Sequence, residues 1–482
     1  MDEVDIVLLT KRSVRSIAAL ISRNFFLNIV STISFFLIAA VLIPEDIGLY
    51  TAVIAIQRII GFFTDFGLGA ALIQKKEELE DTDIMTSFTI QASITFFIFI
   101  MVLLFHEHIS SYLHLSAPAE RLLIALAFCI FLSSFKTIPS ILLERKIRFE
   151  KLVIPQIVEQ LTFNILLIVF VLKGFRIDSY TIAFLVSSLI GIPFYYYVSP
   201  WKIRLGIDRK SLHHLKFGAQ FQAKNVLASL KDDALTIFLA KTLSFTQLGY
   251  IGFGQRIAFL AFRYVVDNVT KVTFATYSRM QDNLDLLRKA IEKSLFFVSC
   301  AMFPILTGLI VIAPYFLRYF PGFHQKWEPA LISIIFFSLN ALVSSLSSIL
   351  VNVLDANGRV KVTLFLMIIW TVLTWVLTPL FIMLYGYNGV AIASFLITLT
   401  IFITIYFVRQ IVTFSFFGSI YKPLICSVVM VGVLLTLSPL VIKDLFTLIS
   451  MILLGGVVYL ICIYMFAKKE FHAAVQTMKV KV

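Results

Sequence analysis

The sequence predicts an all-α polytopic membrane protein with about fourteen transmembrane helices. Of its 482 residues, 59% are hydrophobic and only 14% are charged, and the mean hydropathy is +0.94. A soluble protein of this size would carry about 25% charged residues. Apolar segments long enough to span a bilayer, which takes about 20 residues, recur along the whole chain. These observations exclude a soluble globular protein.

The predicted spans follow one another with short connections and no soluble domain between them. The polar N-terminal segment leads into an apolar run that is too long for a signal-peptide core, so we expect the first span to remain as a helix. In order, the spans cover about residues 17–43, 47–73, 84–105, 120–143, 152–172, 179–198, 217–241, 247–278, 294–317, 329–354, 360–385, 388–408, 422–442 and 446–466.

The distribution of basic residues predicts the orientation. With the N-terminus in the cytoplasm, about 26 Lys and Arg residues fall in cytoplasmic segments and about 6 in external ones. Both termini are then cytoplasmic, which requires an even number of spans. In a membrane protein, the net charge of +13 indicates basic cytoplasmic loops rather than a nucleic-acid partner.

A shift of 201 residues relates the two halves of the chain. It places the basic-Asn pair at 23–24 on the pair at 224–225, and Gly48 on Gly249. Parallel repeats of six spans are a transporter architecture. We therefore predict a six-helix lobe over 1–198, a cytoplasmic linker over 199–216 in the form of an amphipathic surface helix or a solvated basic loop, a second six-helix lobe over 217–413, and two additional helices with a basic tail over 414–482.

Most charged residues inside the spans lie in spans one, two, seven and eight. Each costs roughly 2.5–3.5 kcal/mol in a membrane segment, so these side chains should face protein or water. Arg256, Arg263, Asp267 and Lys271 follow one another at steps of seven, four and four, which places them on one helix face. The pattern predicts one wall of a central, net basic cavity.

A basic cavity predicts an anionic ligand, and a diphosphate headgroup fits because Arg binds phosphate through a planar fork and Lys as a point charge. The acidic residues are interpreted as coupling sites for a cation or as structural ion-pair partners, and the ion pair is favoured for Asp267. The candidate binding residues are Arg23, Arg58, Lys224, Lys231, Arg256 and Arg263, and the candidate coupling or ion-pairing residues are Asp65, Asp232, Asp233 and Asp267.

Sequence motifs of enzymes and metal sites are absent. The chain contains no Walker-type GxxxxGK[ST], no HExxH, no GxSxG with a plausible triad and no CxxC pair. Its four cysteines lie in apolar stretches without metal-ligand spacing. We therefore expect a transporter with no cofactor and no metal, driven by an ion gradient or the membrane potential.

Several segments resemble polysaccharide-transport flippases of the MOP (multidrug, oligosaccharidyl-lipid, polysaccharide) exporter superfamily. They are PEDIGLYTAVIAIQRIIGFFTDFGLGAALIQKKE at 44–77, KFGAQFQAKN at 216–225, FPILTGLIVIAPYFLRYFPGFHQKWEPALISI at 303–334 and GYNGVAIAS at 386–394. The resemblance implies two six-helix lobes around a central cavity plus two extra helices. It implies a flippase that moves an undecaprenyl-diphosphate-linked oligosaccharide across the bacterial inner membrane by alternating access.

The resemblance also implies roles and partners. In the lipid II branch of the superfamily, cavity arginines on the first, second and eighth spans are thought to meet the diphosphate, and Arg23, Arg58 and Arg256 occupy those spans here. Expected partners are the lipid-linked oligosaccharide, membrane lipids, a polysaccharide polymerase and a chain-length regulator. Because the cavity lies within one chain, we expect a monomer.

Two alternatives remain open. A drug or cation exporter of the same superfamily would have an acidic cavity, against which the basic excess argues. A membrane polysaccharide polymerase or glycosyltransferase would need a sizeable external loop or a carboxylate pair near the interface. The short external loops argue against this second alternative.

Overall fold

The computed structural model describes residues 3–62, 72–73, 75, 78–208 and 231–468, with the side chains of the first helix from Ser22 onward. These described residues are almost entirely helical and include no β-strand. The chain packs as two compact units, Met1–Gly249 and Tyr250–Val482. The lobe and linker boundaries expected from the sequence stay a prediction.

The described residues of the first unit include seven helices and the start of an eighth. They are α1 (Glu3–Val41), α2 (Pro44–Phe62), α3 (Asp81–Leu113), α4 (Ala117–Arg145), α5 (Phe149–Leu172), α6 (Asp178–Val198), α7 (231–242) and α8 (Phe245–Ala258).

The second unit continues from α8 to the end of the described chain. Its further helices are α9 (Leu260–Met280), α10 (Leu284–Tyr319), α11 (Leu331–Ala356), α12 (Val360–Tyr385), α13 (Gly389–Thr398), α14 (Ile401–Arg409), α15 (Phe416–Val441) and α16 (Leu445–Phe466), with 3-10 turns at Glu328–Ala330 and Gly386–Asn388.

Each of the fourteen predicted spans coincides with a helix or a pair of helices, which confirms the all-α fold with fourteen spans. The eighth span is divided into α8 and α9 at Phe259, and the twelfth into α13 and α14. Of the seventh span, only 231–242 is described. Ten stretches of the described residues are long and apolar enough to cross a membrane, and they account for every span except the second, seventh and eighth. Those three are spans in which the sequence places internal charge.

In the first unit, α4 is the central helix and packs against α2, α3 and α6, while α5 packs against α1 and α6. Leu122, Leu123 and Leu126 of α4 are buried in this core together with Val53 of α2 and Ala183 of α6. Because lipid tails are as apolar as leucine, such packing is stabilised by close van der Waals contact rather than by removal from water.

In the second unit, α10 is the central helix. It packs against α9, α11, α15 and α16. Its 36 residues would extend roughly 54 Å, well beyond the bilayer core of about 30 Å. Pro304 and Pro314 lie inside it. The final pair, α15 and α16, forms its own apolar core against Val311 and Ile312 of α10.

Polar contacts join helix ends within the first unit. In each of three contacts, the fourteen-span topology assigns both ends to one side of the membrane, so the alternation of the helices agrees with that topology. The contacts join Arg176 to Asp46 at 2.9 Å, Lys241 to the carbonyl of Tyr112 at 2.6 Å, and Arg204 to Asp81 at 2.7 Å.

Two glycines let the first turns of α2 and α8 cross in backbone contact, within residues of the first unit. A Cβ atom at Gly48 would overlap the carbonyl oxygen of Phe245, and one at Gly249 would overlap the carbonyl oxygen of Pro44. The two contacts are reciprocal, because the 201-residue shift takes Pro44 to Phe245 and Gly48 to Gly249. The two contacts thus lie at positions that the 201-residue shift equates, and the duplication itself stays a prediction.

The described part of the linker, 199–208, is a non-helical segment that contacts α3. The backbone N–H groups of Gly206 and Asp208 donate to the hydroxyls of Thr89 and Thr86, at 3.0 and 2.9 Å. Trp201 packs edge-on against a phenylalanine of α3. Residues 209–216 of the linker lie outside the described residues.

The start of α10 depends on one side chain. Asn283 is the N-cap and accepts a hydrogen bond from the backbone N–H of Leu286 at 3.1 Å. We expect Asn283→Ala to lower the free energy of unfolding by about 1 kcal/mol, because one N–H of the first turn loses its acceptor. Thermal unfolding in detergent measures the loss. Asn283→Asp keeps an acceptor and should unfold close to the wild type, and an equal loss in both variants would contradict the cap.

Candidate functional site

Eight of the ten candidate residues have described side chains. Lys224 and Asp65 lie outside the described residues, so their predicted roles stay predictions. Within the described part of the chain, no group of three or more histidine, cysteine or carboxylate side chains could hold a metal ion.

An ion pair joins α2 to α7 within the first unit. Nη1 of Arg58 lies 3.3 Å from Oδ1 of Asp233. The arginine side chain is 63% exposed, whereas the carboxylate side chain is only 7% exposed. The buried partner is therefore the anion, and most of the guanidinium remains open to a further ligand.

The two residues that precede Asp233 form a second ion pair. Nζ of Lys231 lies 3.1 Å from Oδ1 of Asp232. The lysine is mostly buried and the Asp232 carboxylate is mostly exposed. Adjacent carboxylates on α7 thus have different partners, which relieves the repulsion that two unpaired neighbouring anions would have.

Arg23 of α1 is held by neutral groups. Its Nη1 donates a short hydrogen bond to Oε1 of Gln156 on α5, and its Nη2 donates to Oδ1 of Asn24 at 2.7 Å. Tyr195 of α6 interacts with both Arg23 and Gln156. No described contact joins Arg23 to Arg58 or to the α7 carboxylates.

A third polar contact lies deeper in the first unit. Nζ of Lys136 on α4 makes a short ion pair with Oε1 of Glu159 on α5. Gly191 of α6 faces the same carboxylate, and a Cβ atom there would lie 3.0 Å from Oε2 of Glu159. The pair therefore occupies the junction of α4, α5 and α6.

In the second unit, α9 has one buried face and one charged, exposed face. Val266, Thr273 and Tyr277 are buried, and α9 packs against α10 and α11. Arg263, Asp267 and Lys271 are exposed, and Asp267 interacts electrostatically with both basic neighbours.

Arg256 precedes this stripe on α8 and is half-buried. Because α8 ends at Ala258, a helix break separates Arg256 from the charged face of α9. Backbone hydrogen bonds from Phe259 to Gln255 and from Arg263 to Phe259 nevertheless continue through this position, so the alignment of Arg256 with the α9 stripe stays a prediction.

The structure thus brings together some candidates and not others. Arg58 meets Asp233, and Lys231 meets Asp232, whereas Arg23 belongs to a separate network. The residues missed by sequence reasoning are Gln156 and Tyr195. Neither carries a charge, so the search for intramembrane charge could not find them.

Long apolar helices, internal basic residues and ion pairs between helices define this chain as an integral membrane protein with a polar site built from several spans. The profile of one protein family, described as "Polysaccharide biosynthesis protein", matches residues 37–332. The chain belongs to this family.

Relatives and solved structures agree with the family. The lipopolysaccharide biosynthesis protein WzxC of Escherichia coli (strain K12) is 23% identical over 344 residues, which are 68% of this chain and 66%, slightly under two thirds, of WzxC. The lipid II flippase MurJ, in an inward closed conformation, superposes with a TM-score of 0.76 at 20% identity, covering 94% of this chain and 99% of MurJ.

A multidrug resistance MATE family transporter of the MOP superfamily, in an inward-facing conformation, superposes with a TM-score of 0.65 at 15% identity. The match covers 80% of this chain and 95% of the transporter. The family match and these superpositions agree with the resemblance found in the sequence, and the fold is the one shared by MurJ and this transporter.

Proposed function

We propose that this protein is a flippase that moves an undecaprenyl-diphosphate-linked oligosaccharide repeat unit across the bacterial inner membrane by alternating access. Its product would enter the biosynthesis of O-antigen, capsule or exopolysaccharide. The observation that carries the proposal is the family match over 37–332, which includes Arg58, Lys231, Arg256 and Arg263. A polysaccharide biosynthesis protein with cations inside its helices is suited to an anionic ligand.

The chemistry of these cations supports a diphosphate ligand. A guanidinium offers five N–H donors in a plane and stays charged at any physiological pH. Arg58 is in contact with one carboxylate through a single nitrogen and is otherwise largely exposed. Arg263 and Lys271 are exposed on the charged face of α9. Because these groups are exposed, they can bind phosphate oxygens without first breaking contacts in the core.

The remaining features of the proposal follow from the sequence. Positive loop charge supports cytoplasmic termini. A cavity within one chain supports a monomer. We propose the lipid-linked oligosaccharide and membrane lipids as its binding partners, and a polysaccharide polymerase and a chain-length regulator as its functional partners.

A translocation assay tests the proposal. Purified protein is reconstituted into liposomes with a fluorescent undecaprenyl-diphosphate oligosaccharide, and a water-soluble quencher outside reports the leaflet of the label. We expect protein-dependent translocation that falls by about tenfold or more in Arg256→Ala, because a charge-assisted hydrogen bond to phosphate contributes about 1.5–3 kcal/mol. Arg204→Ala, which removes an arginine of an exposed surface pair, should translocate like the wild type.

Several outcomes would overturn the proposal. Sugar polymer formed in place of translocation would indicate a polymerase. Efflux of cationic dyes without headgroup movement would indicate a drug exporter. If translocation proceeds at the same rate after all ion gradients and the membrane potential are collapsed, active coupling is wrong although the flippase remains.

A further inference from the structure

We propose that Asp233 is an internal competitor for Arg58 that keeps the singly charged phosphates of bulk membrane lipids from occupying the site, while a more strongly bound diphosphate still binds. The inference rests on the proposed function and names the specificity determinant of that site. It is carried by the geometry of one ion pair, Arg58–Asp233, in which the anion is buried and the cation is exposed.

Arg58, the cation of the pair, contacts Asp233 only through Nη1, at 3.3 Å. This is a single and rather long contact, not a bidentate pair. The side chain is 63% exposed, so its other N–H groups can meet an incoming phosphate. The existing partner therefore weakens an arriving anion's hold on Arg58 without closing the site.

Asp233, the anion of the pair, has a side chain that is only 7% exposed. Among the described residues, Arg58 is the one cation within ion-pair distance of it. A buried carboxylate that loses its only cation is costly to leave uncompensated. An incoming ligand must therefore replace the attraction between Arg58 and Asp233, and it succeeds only if its own attraction to Arg58 is larger.

Anionic phospholipids would compete with the diphosphate for Arg58. Each carries one negative charge, and a membrane holds them in great excess over any biosynthetic intermediate. An arginine that is open to the membrane and has no internal partner would bind these phospholipids. A single phosphate charge gains about what the aspartate already supplies, whereas a diphosphate offers more charge and more acceptor oxygens. Asp233 thereby lowers the affinity for all anions and excludes the weaker ones in practice.

The adjacent ion pair supports a dedicated role for Asp233. Asp232 precedes it directly, yet its carboxylate points to an exposed position and pairs with Lys231. The chain therefore supplies Lys231 to neutralise one carboxylate of the pair and leaves the other for Arg58. A carboxylate needed only for the charge balance of α7 would not have to be buried against an arginine of another helix.

Binding measurements on the full-length protein in detergent test the inference. The probes are farnesyl diphosphate, farnesyl monophosphate and short-chain phosphatidylglycerol, and the readout is the dissociation constant of each. For Asp233→Asn we expect affinity for every probe to rise by about three- to tenfold, because the internal competitor is neutralised. Because one competitor is displaced by every probe, we expect the three constants to fall by a similar factor, so that the phospholipid passes from negligible to measurable occupancy at its membrane concentration.

Three further variants make the result specific. Asp233→Glu retains the competing charge and should keep all three constants close to those of the wild type. Asp81→Asn removes the carboxylate of a surface Arg–Asp pair and should leave all three constants unchanged. The double variant Arg58→Ala with Asp233→Asn leaves no uncompensated charge on either helix and should lose the gain in affinity.

Other results of these measurements would contradict either the role of Asp233 alone or the proposed function as well. If Asp233→Asn binds all probes like the wild type while diphosphate is still preferred, the competition is wrong and the proposed function stands. An equal gain from Asp232→Asn would assign the effect to the general potential of α7 and overturn the role of Asp233. If the wild type prefers no probe and translocates no lipid-linked oligosaccharide, both proposals fail.

Discussion

Gly48→Ala is expected to destabilise the protein by about 3 kcal/mol and to abolish its activity. The new Cβ atom would overlap the backbone carbonyl oxygen of Phe245, which cannot rotate away as a flexible side chain could. The first turns of α2 and α8 must then separate, and overpacking of this kind costs typically 1–3 kcal/mol and occasionally more. Gly249→Ala should have the same effect, because the carbonyl of Pro44 stands in the reciprocal position.

The sign of the effect makes this prediction sharp. An alanine in place of a helical glycine normally stabilises a helix by roughly 0.5–1 kcal/mol. Gly61 lies on the same helix, and a Cβ atom there meets nothing within 4 Å. Gly61→Ala is therefore the matched control and should unfold at the wild-type temperature or above it. If Gly48→Ala also became more stable, the backbone contact between α2 and α8 would be absent in the folded protein.

Lys136→Met is expected to lower the free energy of unfolding by about 3–5 kcal/mol. The substitution leaves Glu159 without its cation among transmembrane helices, and removal of one partner from a buried pair carries a cost of that size. The lysine side chain is 11% exposed and that of the glutamate 26%, so solvent screening is limited. Thermal unfolding in detergent, with and without the second substitution Glu159→Gln, measures the coupling between the two residues.

The double variant is the decisive comparison for the Lys136–Glu159 pair. Lys136→Met with Glu159→Gln removes both charges and should recover most of the stability. Replacing both members of a buried ion pair by uncharged groups often changes the free energy of unfolding little. Arg121→Met breaks an exposed pair with Asp178 and should have little effect. Equal losses in the single and double Lys136 variants would show that lysine packing, and not charge pairing, stabilises the junction of α4, α5 and α6.

The number and order of helices could be predicted from the sequence because span length is a local property. About 20 apolar residues read alike wherever they occur. The same holds for Asp267, whose neighbours lie four residues away on either side of it, and the structure keeps it in electrostatic contact with both. The interruption at Phe259 was not predicted, since neither proline nor glycine marks it.

The partners in the site could not be predicted for the opposite reason. Arg58 and Asp233 are 175 residues apart, and Arg23 and Gln156 are 133 apart. Helical spacing relates residues on one helix and says nothing of which face meets a distant helix. Arg58 and Arg23 were identified as candidates by their charge, whereas the different surroundings of the two arginines follow from the packing of α1 on α5 and from the position of α7.

The close approach of Gly191 to Glu159 carries an evolutionary consequence. A methyl group at 191 would lie 3.0 Å from the carboxylate, so Glu159 would have to shift by a few tenths of an ångström while paired with Lys136, and we expect the two positions to be coupled. Descendants of a common ancestor should show correlated drift: a lineage that acquires a side chain at 191 would also shorten the acid at 159, as aspartate does by about 1.5 Å, or discard the charge together with that of Lys136. Positions 136, 159 and 191, one on each helix of this junction, would then covary among related sequences.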